Sequence, residues 1–465
     1  MRRIVTATAV ALALAAQVAP AATAAQHPSA TDGIWRTDGY GTVLSLRDGT
    51  LQEYQTTAVS CLKGDSARRT APGTYTTSDD TVLTVRAQGD RASLRADGDV
   101  GSRTLRRVPA LPDACAHETA KDSLTAFDVF WQTFEENYPF FAAKGVDWHK
   151  ARDQYRPAVH AGTTPDELYA VLGKMVEPLH DAHVSVRDGA RRSYQVRPGT
   201  VVPSGTLDAE VKKFIVERDL KDARNVQDFA QGRITYADLP GGQGYLRISG
   251  FAGYTEEGTY AAELAELDRA LDTALGRRRT QPPTGLIIDL RINGGGSDAL
   301  GLHIAERLTD TPYLAYSKRA RNDPADPTRH TRPQPAYVTP AQGTRYTGPV
   351  AVLTGGSTFS AGETFTQALL DRPGRTVRIG QPTQGVFSDV MVRKLPNGMS
   401  FGLPNEEFLT RSGRTFDGPG IPPHLTEPVF TKEEFDKRKD SAFDRAVNVL
   451  RNPLRDAEVT RMPGT

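Results

Sequence analysis

Ser360 stands in the run Gly355-Gly356-Ser357-Thr358-Phe359-Ser360-Ala361-Gly362-Glu363, directly after the apolar stretch Val350 to Thr354. A serine at a turn from strand into helix meets the free N–H groups and the positive dipole end of that helix. Both favour a nucleophile whose substrate oxygen becomes an anion. The same residues also read as a capping box, because Glu363 follows Ser360 by three positions. The run is not a G-x-S-x-G elbow, since Thr358 occupies the first glycine position. A serine nucleophile needs a base, and of the nine histidines His183 has the most distinctive setting, in Leu179-His180-Asp181-Ala182-His183-Val184-Ser185-Val186. It reads either as a general base or as a polar helix end beside a stabilising aspartate. His180, Asp181 and His183 lack a fourth ligand at metal-binding spacing, so the segment argues for no metal site. A third stretch, Asp289-Leu290-Arg291-Ile292-Asn293-Gly294-Gly295-Gly296, runs from a buried strand into three glycines. Glycines there let main-chain N–H groups approach a ligand, as an oxyanion or phosphate cradle requires. The spacing fits neither G-x-x-x-x-G-K nor G-x-G-x-x-G, so nucleotide binding is disfavoured.

The elements that must carry these residues follow from periodicity. Across 240–430 apolar runs of strand length (Gly244 to Ser249, Gly285 to Arg291, Pro349 to Thr354) alternate with helical patterns, which predicts an α/β layered core. Pro396-Asn397-Gly398 predicts a hairpin turn between two further strands. Across 118–187 the apolar residues Phe127, Phe130, Phe134 and Tyr138, then Leu168, Leu172, Met175 and Leu179, recur near period 3.6 and predict a helical subdomain that carries His183. Thr163 or Thr164 serves as the N-cap before Pro165. Residues 32–109 offer short strands between Asp-Gly and Pro-Gly turns and predict a small antiparallel barrel or sandwich. Pro109 to Asp113 reads as a linker, 188–239 as a connecting region, and 431–465 as a C-terminal helix and tail that opens on Thr431 and Glu434.

Lys plus Arg total 57 and Asp plus Glu 56, a formal charge of +1 in 465 residues. Such a balance gives no global field to recruit nucleic acid or an anionic membrane. Met1, Arg2 and Arg3, the apolar run Ile4 to Val18, and Ala22-Thr23-Ala24-Ala25 have the order of a secretory signal peptide spanning 1–25, which predicts export. No later stretch is long and apolar enough for a membrane span. The two cysteines, Cys61 and Cys115, are then expected to form one disulfide within the first domain.

Several segments together resemble the S41 serine peptidases, the family of C-terminal processing and tricorn-type proteases. The likeness is to the tricorn-like branch without a PDZ domain. It rests on Phe140 to Trp148, Leu-His-Asp-Ala-His, Asp-Leu-Arg-Ile-Asn-Gly-Gly-Gly, Phe-Ser-Ala-Gly-Glu and Gly380-Gln381-Pro382-Thr383-Gln384-Gly385, within about residues 118–430. The resemblance implies a ClpP/crotonase-like layered α/β core. It also implies Ser360 as nucleophile, His183 as general base, and the N–H groups of Gly295 and Ala361 as oxyanion hole. A Ser/Lys mechanism is disfavoured, because no Lys precedes Lys394 after Thr383-Gln384-Gly385. The family's carboxylate position falls on Asp417, in Thr415-Phe416-Asp417-Gly418-Pro419-Gly420-Ile421-Pro422, which otherwise reads as an Asp-Gly turn. Ala182 stands where the tricorn pattern has a serine, and His424 is a further departure.

The function implied is a secreted serine peptidase that cleaves peptides or unfolded proteins through an acyl-enzyme, without cofactor, metal or nucleic-acid partner; the sequence does not give its oligomeric state. An esterase with the same residues, or a ligand-binding protein in which Ser360 only caps a helix, are the alternatives.

Overall fold

A computed structural model describes residues 30–276 and 282–452; the segment read as a signal peptide and the chain beyond residue 452 lie outside the described residues. The short segments between the Asp-Gly and Pro-Gly turns form eight strands: β1 (Gly33–Thr37), β2 (Thr42–Arg47), β3 (Thr50–Thr56), β4 (Cys61–Ala71), β5 (Thr74–Thr77), β6 (Val82–Gln88), β7 (Arg91–Ala96) and β8 (Arg103–Val108). They close into an antiparallel barrel in chain order, with β8 returning to β1. Closure leaves no free edge. Alternate residues such as Trp35, Leu44, Leu46, Tyr75, Val85 and Leu105 fill the interior. Cys61 is disulfide-bonded to Cys115, joining the start of β4 to the chain that leaves the barrel.

The helical subdomain follows. Helix Ser123–Asn137 is capped by Asp122, and helix Pro165–Val176 by a complete capping box of Thr164 and Glu167, with Pro165 in its first turn. Phe127, Phe130, Phe134 and Tyr138 pack on Leu168, Leu172, Met175 and Leu179, and Phe401 closes the cluster from another strand. The chain then turns through His180 (φ 46°) and enters strand Ser185–Asp188, which pairs with Ser400–Pro404.

The α/β core is a seven-stranded sheet ordered 224–229, 234–238, 244–248, 286–289, 350–354, 376–380 and 425–426. The first two pairings are antiparallel and the rest parallel. Successive residues face opposite sides, as strand geometry requires. Leu286, Ile288, Val350 and Val352 meet Leu267, Leu271, Ile304 and Phe365 on one face. Ile287, Ala351, Leu353 and Val377 meet Val211, Ile215, Ala446 and Val449 on the other. Helices cover both faces of the parallel part, the burial pattern such sheets need.

The layered α/β core, the helices and the antiparallel β unit expected from the sequence are all present. Two details differ. The stretch 188–239 carries helix Gly205–Arg218 and the strands Arg224–Phe229 and Ile234–Asp238, so it extends the sheet. The C-terminal segment forms two helices, Lys432–Asp436 and Ser441–Arg451, because Glu434 accepts from Ser441 N–H and Oγ and so holds the chain at a corner.

The barrel touches the core beside the glycine loop. Ser297 Oγ donates to Gly98 O at 2.7 Å, and Gln334 exchanges hydrogen bonds with the backbone of Ser102. Tyr40 donates to Glu406 at 2.6 Å.

Candidate active site

Strand Val350–Thr354 is wholly buried between two parallel neighbours, and its chain leaves the sheet through Gly355. Ser357–Thr358 then pairs in parallel with Ile292–Asn293, which lays the serine turn alongside the glycine loop. Ser360 itself has φ 54° and ψ −122°, a conformation that costs a non-glycine residue about 1–3 kcal/mol. Its side chain makes no capping hydrogen bond, although helix Ala361–Ala368 begins at the next residue. The capping-box reading of Ser360 and Glu363 is therefore corrected. Glu363 is fully buried and accepts from the N–H groups of Gly385 (2.7 Å) and Val386 (2.8 Å), and burial raises its carboxyl to about 8. The hydroxyl of Ser360 is left free of structural duty at the start of a helix whose Gly362 and Glu363 N–H groups donate to Phe359 O and Ser360 O, so that the Ala361 N–H is the one without an acceptor in the turn.

The glycines make the close approach possible. A Cβ on Gly295, which sits at φ +76°, would lie 2.6 Å from Ser360 Cβ and 3.1 Å from Ala361 N. One on Gly362 would lie 2.6 Å from Asn293 Oδ1. The loop is tied down by Gly294 N–H to Ser249 O, Phe251 N–H to Gly295 O, and Asn293 Nδ2 to Ile248 O. The N–H of Gly295 donates to Asn293 Oδ1 at 2.9 Å. The Ala361 N–H, at the first helical position beside Ser360, is among the donors that no helical turn can satisfy.

His183 arrives from the helical subdomain. Its ring meets Phe359, the neighbour of Ser360, edge to face at 4.9 Å between centroids. The loop is fixed by Asp181, whose Oδ1 accepts from His183 N–H at 3.0 Å and whose Oδ2 accepts from Tyr138 Oη at 2.9 Å. Burial pushes the imidazole below its ordinary range, against the opposing pull of Asp181 and Asp389. The neutral, proton-accepting form is thus favoured at neutral pH. His183 Nδ1 is buried without a partner.

Asp417 is buried but is not hydrogen-bonded to His183. Its Oδ2 accepts from Thr415 Oγ1 at 2.6 Å and its Oδ1 from Phe387 N–H at 3.2 Å. Burial raises its carboxyl to about 7, the Thr415 and Phe387 hydrogen bonds oppose that rise, and nearby Asp181 adds to it. The structure therefore brings Ser360, Ala361 and Gly295 together and sets the His183 ring against Phe359, the neighbour of Ser360, while Asp417 lies near enough to Asp181 to feel its charge. His424 lies elsewhere, its Nδ1 accepting from Arg378 N–H. Among the described residues no group of three or more His, Cys, Asp or Glu is placed to hold a metal ion.

The family model described as peptidase family S41 matches residues 242–426, and that of the tricorn protease C1 domain matches 120–177. The two matches take in the glycine loop and serine turn on one side and the helices that lead to His183 on the other. Residues 242–426 belong to peptidase family S41. The chain is a hydrolase of the serine-protease kind, and peptides or proteins are its substrate class. A presumed peptidase from Parabacteroides merdae shares 24% identity over 71% of this chain and 97% of its own, with a TM-score of 0.59. Mature CPAF shares 14% over 74% of this chain and 98% of its own, with a TM-score of 0.50. Both likenesses are of fold. No curated protein matches.

Some working parts of this S41 peptidase were not singled out from the sequence. Asp181 was weighed there as a metal ligand or as a stabilising charge beside the helix end; its signal as a positioning group was its place two residues before His183, where an aspartate accepts from the following backbone. Tyr138 gave none beyond its helical period. Arg291 is fully buried, donating to Asp289 and to both oxygens of Asp440. The Asp-Leu-Arg start of the glycine motif thus anchors the C-terminal helix and leaves the chemistry to the glycines.

Proposed function

We propose that this S41 peptidase works by acyl transfer. His183 takes the hydroxyl proton of Ser360, the oxygen attacks a peptide carbonyl, and the amine leaves with that proton as the C–N bond breaks; water, giving its proton to His183, then releases the acyl group and restores the serine hydroxyl. The Ala361 N–H receives the developing oxyanion. Gly295 N–H is the second donor in this reading, sharing its hydrogen between Asn293 Oδ1 and the anion. Asp417, once ionised, adds to the negative charge that Asp181 holds near the imidazole. The observation that carries the reading is the Ser360 turn: a strained serine whose hydroxyl caps nothing, crossed by a glycine with no room for a Cβ. A helix-capping serine in a binding protein has no need of either feature.

The amino-terminal sequence order supports export, and the Cys61–Cys115 bond suits an oxidising compartment. Among the described residues no helix is long and apolar enough to cross a membrane. The test is fluorophosphonate labelling with peptide and ester turnover measured side by side. Ser360→Ala should abolish labelling and hydrolysis in a protein that still melts cooperatively. Turnover unchanged in that variant overturns the nucleophile assignment, and ester turnover without peptide turnover transfers the site to esterase chemistry.

A further inference from the structure

A cavity of about 890 Å³ lies between the outer face of the barrel, the end of helix Ser123–Asn137 and the loop that follows strand Tyr313–Ala320. Its charge is uneven. Arg36 on β1, Arg106 on β8 and Arg91 on β7 all line it, and the sheet register places Arg36 opposite Arg106 and Arg106 opposite Arg91. Three like charges abreast on adjacent strands oppose folding, so the row is not there to stabilise the barrel. Across the cavity stands Arg321, 5% exposed, whose Nε is buried without a partner while its Nη1 donates to Glu135 O.

The carboxylates facing these groups are already engaged. Glu136 accepts from Ala58 N–H and Gln132, Asp38 from Asn322, and Asp323 pairs with Arg329. Five arginines and three carboxylates line the cavity; Glu135 and Asp326 act on Arg321 from outside the lining, which leaves the row of Arg36, Arg106 and Arg91 as the excess of positive charge and Arg321 Nε as the buried donor left over.

We infer that this groove binds an acidic stretch of polypeptide, at a site apart from Ser360. Neighbouring strands are about 4.8 Å apart, so the arginine row spans roughly 10 Å, the length of about three extended residues. One phosphate cannot bridge that row, whereas carboxylates on successive residues can. Thr56 lines the same cavity beside Thr57 and Ser60, whose hydroxyls bond each other, and makes that wall polar. Single-stranded nucleic acid needs aromatic faces for its bases. The sole aromatic of the lining, Tyr40, is buried with Arg103 over its ring at 4.7 Å.

The groove holds such a segment whether or not Ser360 cleaves it, so binding is read in full-length protein carrying Ser360→Ala. Fluorescence anisotropy with labelled oligoglutamate, oligolysine and oligothymidylate, and competition by tripolyphosphate, separates the ligand classes. Oligoglutamate is expected to bind in a salt-sensitive manner. The triple change Arg36→Ser, Arg91→Ser, Arg106→Ser should weaken it by about tenfold or more, with the melting midpoint unchanged or higher once the like charges are gone. Arg321→Met should weaken it as a second, independent variant. Absence of oligoglutamate binding, binding undiminished in both variants, or tighter binding of oligothymidylate or tripolyphosphate than of oligoglutamate overturns the inference. None of these results depends on catalysis.

Discussion

Gly294 and Gly295 are adjacent, yet an added methyl group should have opposite consequences at the two positions. At Gly295 a Cβ would lie 2.6 Å from Ser360 Cβ, whereas ordinary contact begins near 3.4 Å, so the loop or the serine turn must move by about 0.8 Å. The residue also sits at φ +76°, which costs an alanine about 1–2 kcal/mol relative to glycine. At Gly294 the nearest atoms would be Pro203 Cβ at 3.8 Å and Ser249 O at 4.0 Å, and the backbone is outside the left-handed region. Displacement by nearly 1 Å at a reacting centre costs on the order of 10²-fold, and loss of an oxyanion donor about 10²–10³-fold.

Gly295→Ala is therefore expected to lower kcat/KM and the rate of fluorophosphonate labelling by about 10²–10³-fold, and stability by about 1–2 kcal/mol. Gly294→Ala should stay within about twofold on both measures. Labelling kinetics and urea unfolding of the two variants form the assay. Wild-type labelling in Gly295→Ala, or an equal loss in Gly294→Ala, would refute the placement of the glycine loop against the nucleophile.

Other outcomes follow from the same geometry. Ser360→Gly should be more stable in urea unfolding than Ser360→Ala by about 1 kcal/mol, because only glycine relieves φ 54°, while both remain inactive. Raising the pH through about 7 ionises Asp417, so activity should rise with it. Asp417→Asn should trail the wild type by about 10- to 100-fold above pH 8 and converge with it below pH 6, where the wild-type carboxyl is also neutral; a gap independent of pH excludes the role. Tyr138→Phe leaves Asp181 Oδ2 without its donor and should cost about 1–3 kcal/mol of stability, measured by urea titration. Replacing Cys61 and Cys115 together by Ser should cost about 2–4 kcal/mol while leaving turnover at 25 °C intact.

The barrel, the capped helices and the buried parallel strands were legible because each is set by local pattern: turn pairs at short intervals, a threonine N-cap before Pro165, apolar runs ending in glycine. The strand Arg224–Phe229 was not legible. It is an edge strand with five of its six residues exposed, so it carries no apolar alternation to read. The role of Glu363 was hidden for another reason. Within the sequence its partner three residues away is the nearest candidate, but its actual partners are the amides of residues 385 and 386, brought in by a separate loop. Local reading favours local hydrogen bonds, and a buried glutamate takes whichever donors tertiary packing supplies. Asp417 shows the same limit. The family resemblance marks it as the carboxylate position, but only the structure shows Thr415 and Phe387 holding its oxygens.

The groups around Ser360 share a thermodynamic character. The serine is held in a disfavoured backbone conformation, the carboxyls of Glu363 and Asp417 are raised by burial, and the His183 imidazole is lowered by it. A carboxyl whose folded-state pKa lies above its unfolded value adds stability that is complete below the unfolded value and is lost as pH rises through the folded one. For Glu363 and Asp417 that window runs from about 4 to about 8, so the fold is weakest at the site in the range where His183 is a competent base. The offset must come from outside, and the sheet faces, the helical cluster and the disulfide-joined barrel are where the apolar burial and cross-linking lie. A chain built this way should gain stability from neutral substitutions at the site and lose activity with the same changes. Asp417→Asn at pH 8 is the cleanest instance, since it removes a disfavoured buried charge and keeps the acceptor for Phe387 N–H. It should melt higher than the wild type there and match it at pH 4, and a variant less stable at both pH values would show that the Asp417 charge is well accommodated after all.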